Sequence, residues 1–226
     1  MAQAHQEEKK TFSDKLAEFL TIHRKQILII TVVIVVAVVA VGVGTYVSSK
    51  NFEQAVASVE LAEESYNELL SLEEGSAEYT EKNAEVEQKL IEIREDNKDN
   101  YPHMKATFLL GMMKGNAGEY GEAAELFNEI ATGYADTHLA ASAVMSEAAA
   151  LEMNGDYDAA IGRYQYLIDN YGDSSSEVSH AYFSIGRLYE MTDRDDLAVT
   201  VYQQLEAEFE NSEWTKLAKS RLIQIQ

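Results

Sequence analysis

Cysteine is absent from the 226 residues, and that absence removes several classes of protein at once. No disulfide scaffold, Cys-ligated zinc or iron–sulfur centre, thiol nucleophile or lipid-modified N-terminal cysteine can be built from this chain. Proline occurs once and glycine twelve times, a scarcity of helix breakers that suits a mostly helical chain. Basic residues are also scarce, 18 Lys and Arg against 39 Asp and Glu, for a formal net charge of −21. Six of the 18 lie in residues 1–50 beside four acids, so residues 51–226 carry 12 basic and 35 acidic residues, a net of −23. A phosphate backbone or an anionic bilayer repels such a surface, which argues against nucleic acid as a partner. With 46% hydrophobic and 25% charged residues, the chain is not of disordered composition.

Catalytic patterns are missing as well. There is no His-Glu-x-x-His, no Gly-x-Ser-x-Gly and no phosphate loop, since the stretch from Gly111 to Gly115 has the wrong spacing and lies in a helical pattern. The five histidines (His5, His23, His103, His138 and His180) are not paired at ligand spacing on one helix face, which favours surface or capping roles over metal binding. Asp193-Arg194-Asp195-Asp196 lacks the glycine of a calcium loop and has Gln204 where a bidentate acid is needed, so it reads as a helix start. Neither a cofactor nor an enzymatic activity is expected.

What the chain does have is an uncharged run, Ile27–Val47. Twenty-one residues in a helix span ~31 Å, about the thickness of a hydrocarbon core. Backbone groups in lipid must bond to one another, so the run is predicted helical despite its Val and Ile content. Five Lys or Arg precede it and only Lys50 follows closely, which places residues 1–26 in the cytoplasm and 48–226 outside. Tyr46 sits at the outer end, where an amphipathic ring is favoured. A cleaved signal peptide, with Val38-Val39-Ala40 as the processing pattern, fits less well, because the leader is long and mixed in charge and the apolar run exceeds about 15 residues. Thr11–Lys25 places Phe12, Leu16, Phe19, Leu20 and Ile22 near helical spacing and predicts a short amphipathic helix on the inner leaflet. Ala40 and Gly44 are a weak signal for close approach of two spans.

Beyond the span, Phe52, Val56, Val59, Ala62, Tyr66 and Leu69 recur in steps of three and four and define one helix face. Glu74-Gly75-Ser76 stops this helix and starts a second over about 77–97, giving an antiparallel hairpin over 48–100. Its many glutamates, from Glu60 to Glu87, read as a solvated face.

An internal repeat fills the remainder. Ala123/Phe127, Ala160/Tyr164 and Ala198/Tyr202 recur at a spacing of 37–38, each opening the second helix of a two-helix unit. The alanine permits close approach and the ring fills the space one turn later. Leu110-Gly111 aligns with Ile185-Gly186, while the middle unit has Glu147-Ala148. Units close with Tyr134-x-Asp136-Thr137, Tyr171-x-Asp173-Ser174 and Phe209-x-Asn211-Ser212, whose short polar residues are predicted N-caps of the next helix. Glu213–Ile225, with Trp214, Leu217 and Leu222, reads as a capping helix.

These units, over about 104–137, 141–174 and 179–212 with the cap at 213–225, resemble the tetratricopeptide repeat family. The spacing is longer than the usual ~34 residues. Longer spacing with a tyrosine-polar-serine/threonine join is similar to the envelope subgroup of that family, of the BamD and CpoB type. The whole-chain layout resembles the YfgM family of ancillary Sec translocon subunits: a cytoplasmic tail, one span, a helical lead-in and a periplasmic repeat domain. The resemblance implies an all-α fold, a single N-terminal transmembrane helix followed by a helical hairpin and a three-unit solenoid. It also implies a non-enzymatic scaffold in a bacterial inner membrane whose partners are proteins or peptides, among them translocon subunits, periplasmic chaperones or their clients.

In that family's register the first helix of each unit lines the concave side. The positions implied to face the groove are Lys105, Phe108 and Met112 in the first unit and Ser142, Met145, Ala149 and Met153 in the second. In the third they are His180, Phe183, Arg187 and Met191. All six methionines after Met1 lie in these first helices, and their flexible, polarizable side chains suit a surface that accepts varied apolar segments. Lys105, Arg187 and His180 are expected to select acidic or carboxylate groups.

Overall fold

The structure, a computed structural model, describes residues 11–98, 100–172 and 176–225, and among them every regular element is helical. The chain divides into two compact units, Met1–Gln54 and Ala55–Gln226.

In the first unit the backbone belongs to α1 (Phe12–Leu69), one helix of 58 residues whose last turns enter the second unit. Thr11 opens it reciprocally: its backbone N–H and hydroxyl donate to the Asp14 carboxylate, and the Asp14 N–H donates back to the hydroxyl. The predicted amphipathic segment, the apolar run and the first hairpin helix are continuous: no proline separates them, and the polar residues 48–51 stay helical. Every apolar side chain from Leu28 to Val47 is exposed, and the helix is long and apolar enough to cross a bilayer.

The second unit begins with the end of α1, followed by α2 (Ala77–Asp96) and α3 (Tyr101–Asn116). Gly75, at φ +83°, makes the turn that an L side chain resists, and the Ser76 hydroxyl caps α2 by accepting from the Tyr79 N–H at 3.0 Å. Val59, Tyr66 and Leu69 of α1, Val86 and Leu90 of α2, and Leu109 and Leu110 of α3 form one buried cluster. The Asn116 amide donates to the Tyr66 hydroxyl at 3.0 Å, fastening α3 to α1. Asn100 caps α3 and Pro102 sits in its first turn, where a missing N–H costs nothing. His103 bridges three helices, one ring nitrogen 2.7 Å from the Arg94 carbonyl and the other 2.9 Å from Glu129.

Three helix pairs follow: α3 with α4 (Tyr120–Gly133), α5 (Ala140–Met153) with α6 (Tyr157–Tyr171), and α7 (Val178–Met191) with α8 (Asp195–Glu208), closed by α9 (Glu213–Ile225). Each helix packs on its chain neighbours and α9 also packs on α7, the nearest-neighbour architecture of a solenoid. Phe127, Tyr164 and Tyr202 are buried between the helices, as the repeat spacing predicts. The join residues differ in what they do. The Ser212 hydroxyl accepts from the Trp214 N–H at 3.2 Å and caps α9. Thr137 instead donates back to the Tyr134 carbonyl at 2.7 Å, and α5, with Leu139 at its N-cap position, has no side-chain cap. The predicted cap at Asp173-Ser174 lies outside the described residues.

Candidate protein-binding groove

The first helices, α3, α5 and α7, carry the candidate residues in matching register: Lys105, Ser142 and His180; Phe108, Met145 and Phe183; Met112, Ala149 and Arg187. Half-burial is the common feature of this face. Phe108, Met112, Met145 and Phe183 each rest on a buried cluster while keeping part of the side chain exposed. Ala149, Met153 and Met191 are exposed.

The cations expected to choose acidic partners are already engaged. Lys105 is held by Glu63 of α1. Arg187 donates to Glu152 at 2.6 Å and reaches the Met191 sulfur at 3.4 Å. His180 is half-buried and stacks on Trp214 with ring centroids 3.8 Å apart and planes 3° from parallel. Burial, and then the nearby Arg187 charge, hold its imidazole below the ordinary histidine value against the opposing pull of Glu152, which favours the neutral ring. Ser142 donates to Glu177 at 3.1 Å.

Sequence reasoning missed two features. Trp214, read as part of the cap, packs against both His180 and Phe183, so α9 completes the face. The second is a repeated latch. In the second unit the Tyr164 hydroxyl lies 3.5 Å from Glu152, which Arg187 of the next unit also holds. In the third, the Tyr202 hydroxyl donates to Glu190, which Arg221 of α9 grips with both Nε and Nη2. Burial first, and then the adjoining carboxylate, push the Tyr164 hydroxyl up to about 12 and that of Tyr202 well above its ordinary value. Glu152 and Glu190 are 38 residues apart, so the repeat spacing itself was the signal that pointed to them.

At the corresponding place in the first unit the latch is absent and a cleft of about 240 Å³ opens. It gathers three of the candidate residues, Met112, Ala149 and Met153, over Gly111, Gly115 and Phe127. Among the described residues no cluster of His, Asp or Glu is placed to hold a metal ion.

Stacked helix pairs with a small residue facing a ring across each pair define a helical repeat solenoid. The tetratricopeptide repeat model matches residues 108–175 and 145–213, so this region of the chain carries tetratricopeptide repeats. Among proteins of curated function none matches the sequence. Similar solved structures include the nearly identical TPR-like repeats of a protein described as a kinesin light chain from Podosopora anserina, at 12% identity, TM-score 0.55, with 76% of this chain and 85% of that chain covered. A tetratricopeptide repeat protein from Parabacteroides merdae is similar at 18% identity and TM-score 0.53, with 72% of this chain and 60% of that one covered. At these identities the likeness establishes the fold alone; tetratricopeptide repeats generally mediate protein–protein interactions.

Proposed function

We propose that this chain is a membrane-anchored adaptor whose first-helix face binds protein or peptide segments on the outer side of a bacterial cytoplasmic membrane. In this reading Ile27–Val47 is the span, the N-terminus is cytoplasmic, and the partners are Sec translocon components, periplasmic chaperones or emerging chains. The observation that carries it is the row of half-exposed apolar side chains, Phe108, Met112, Met145 and Phe183, along a face whose charges are internally paired. Such a face has apolar area to bury on binding and few ions to desolvate. The resemblance in whole-chain layout to YfgM-type subunits supports the choice of partners, and the exposed apolar side chains of α1 from Leu28 to Val47 support the anchor.

Two measurements test the proposal. A photo-crosslinker placed at Ala149 or Met191 in intact cells is expected to capture Sec subunits or chaperones, while one at Gln203 on α8 captures none. Recovery of outer-membrane assembly or peptidoglycan-synthesis factors would instead assign the chain to the BamD and CpoB type of role. Protease added to spheroplasts is expected to digest residues beyond Val47, and their full protection would refute the orientation.

A further inference from the structure

The repeat register contains a gap. Tyr164, Glu152 and Arg187 close the first-helix face between the second and third units, and Tyr202, Glu190 and Arg221 close it between the third unit and α9. The same three positions one unit earlier hold Phe127, Gly115 and Ala149. A hydroxyl, a carboxylate and a guanidinium are all missing there, and what remains is apolar or small. A Cβ added at Gly115 would meet nothing nearer than the Ala123 Cβ at 4.0 Å, so the room left by the missing carboxylate is real. Phe127 forms the floor and the exposed Met153 one wall of the resulting cleft, and none of its lining residues is charged.

We propose that this missing latch is an anchor pocket for one bulky apolar side chain of a polypeptide whose flanking residues are Lys or Arg. The proposal rests on the reading of the first-helix face as a protein-binding surface. The size and apolar lining of the cleft select the anchor. Charge selects the flanks. From Ala55 onward, every described Lys and Arg apart from Lys98 sits in an ion pair with a carboxylate. No groove cation is therefore left to clamp an acidic segment unless an existing pair breaks. The acid excess, a net of −23 over residues 51–226, stays uncompensated. Near the cleft in sequence, Glu119 and Glu122 share the single cation of Lys114 with Glu87, which leaves two of those three negative charges uncompensated, and Asp156 follows Met153 by three residues. A basic segment is drawn to this surface and an acidic one repelled.

The test uses the full chain in nanodiscs of a zwitterionic lipid and three fluorescein-labelled peptides of about 15 residues. One has a central Leu-Phe pair between lysines, one the same pair between glutamates, and one Ser-Ser between lysines. The first is expected to bind at least about tenfold more tightly than either of the others, with affinity falling as salt rises from about 50 to about 300 mM. Installing the latch with Gly115→Glu and Ala149→Arg is expected to weaken binding at least about tenfold with helicity intact by circular dichroism. Should that variant lose helicity, the exposed Met153→Ser decides: a loss of about threefold or more supports the pocket, and unchanged affinity overturns it. Unchanged affinity in a folded latch variant also overturns the pocket, and equal binding of the glutamate-flanked peptide overturns the charge selection. If no peptide binds, this inference fails, and capture of partners from Ala149 in cells then shows whether the wider binding role stands without it.

Discussion

The middle repeat and its two neighbours solve one packing problem in different ways. In the outer repeats a glycine lies under the ring of the second helix. A Cβ on Gly111 would come within 2.8 Å of Phe127, and one on Gly186 would collide still harder with Tyr202. The middle repeat has Ala148 there, fully buried in the cluster that holds Tyr164. One position earlier, Leu110 and Ile185 become Glu147. Its carboxylate is buried, 2.7 Å from Arg163 of α6 without a well-aligned hydrogen bond, and its other oxygen accepts from Asn128 at 2.9 Å. Arg163 occupies the place of Leu126 and Val201, and its guanidinium also lies 4.6 Å from the Tyr166 ring centroid. The two substitutions are thus paired across the helix interface. The repeat conserves the fit between positions on facing helices, and either an apolar pair or an ion pair can satisfy it.

The largest way to break this comparison is Arg163→Leu alone. It leaves Glu147 buried without its counter-charge and is expected to cost about 3–5 kcal/mol in urea unfolding followed by circular dichroism. Gly186→Ala forces its methyl group into Tyr202 and should cost about 1–3 kcal/mol, with Gly111→Ala at the lower end of that range. Glu147→Leu together with Arg163→Leu turns the middle repeat into an outer one, and stability should be unchanged or raised. A double variant as unstable as Arg163→Leu would show that the pair is more than an exchangeable solution.

Acidity sharpens the same contrast. Burial raises the Glu147 carboxyl above its ordinary value, and hydrogen bonds from Asn128 and the Arg163 charge oppose this without cancelling it. The folded state then holds this proton more tightly than the unfolded state does. The stability Glu147 contributes is present below about pH 4.5 and declines as pH rises above it. Glu129 behaves in the opposite sense. Burial pushes it up, but hydrogen bonds from His103 and Arg94 outweigh that and hold it low, so its contribution is lost on acidification. Relative to wild type, Glu147→Gln should gain stability as pH is raised from about 4.5 to about 7, read from paired unfolding curves. The smallest effect concerns the turn. Gly118 and Gly155 adopt positive φ at this place and the third unit uses Asp193, at φ 56°. Asp193→Gly should stabilise by no more than about 1 kcal/mol, measured as a shift in thermal midpoint.

Much of the fold was legible because a solenoid repeats local signals. The Ala and aromatic pairs recur in register, and Glu74-Gly75-Ser76 acts within a turn of its own position, where α1 stops and α2 starts. The candidate face was only half legible. Its apolar residues follow from register, whereas Lys105 is governed by Glu63, 42 residues away, and Arg187 by Glu152, 35 residues away. Ion pairs that cross units have no periodic signature of their own, so the engagement of both cations emerges only from the assembled helices. Trp214 lies on the capping helix as its sequence position implies, but the packing of its ring back on α7 emerges only from the assembled helices.

The chain contains a single indole, and that indole lies flat against an imidazole at one end of the candidate face. An imidazolium quenches indole emission more strongly than a neutral ring does. The natural protein therefore carries its own optical gauge, whose brightness follows both the proton on His180 and anything that slides between the two plates.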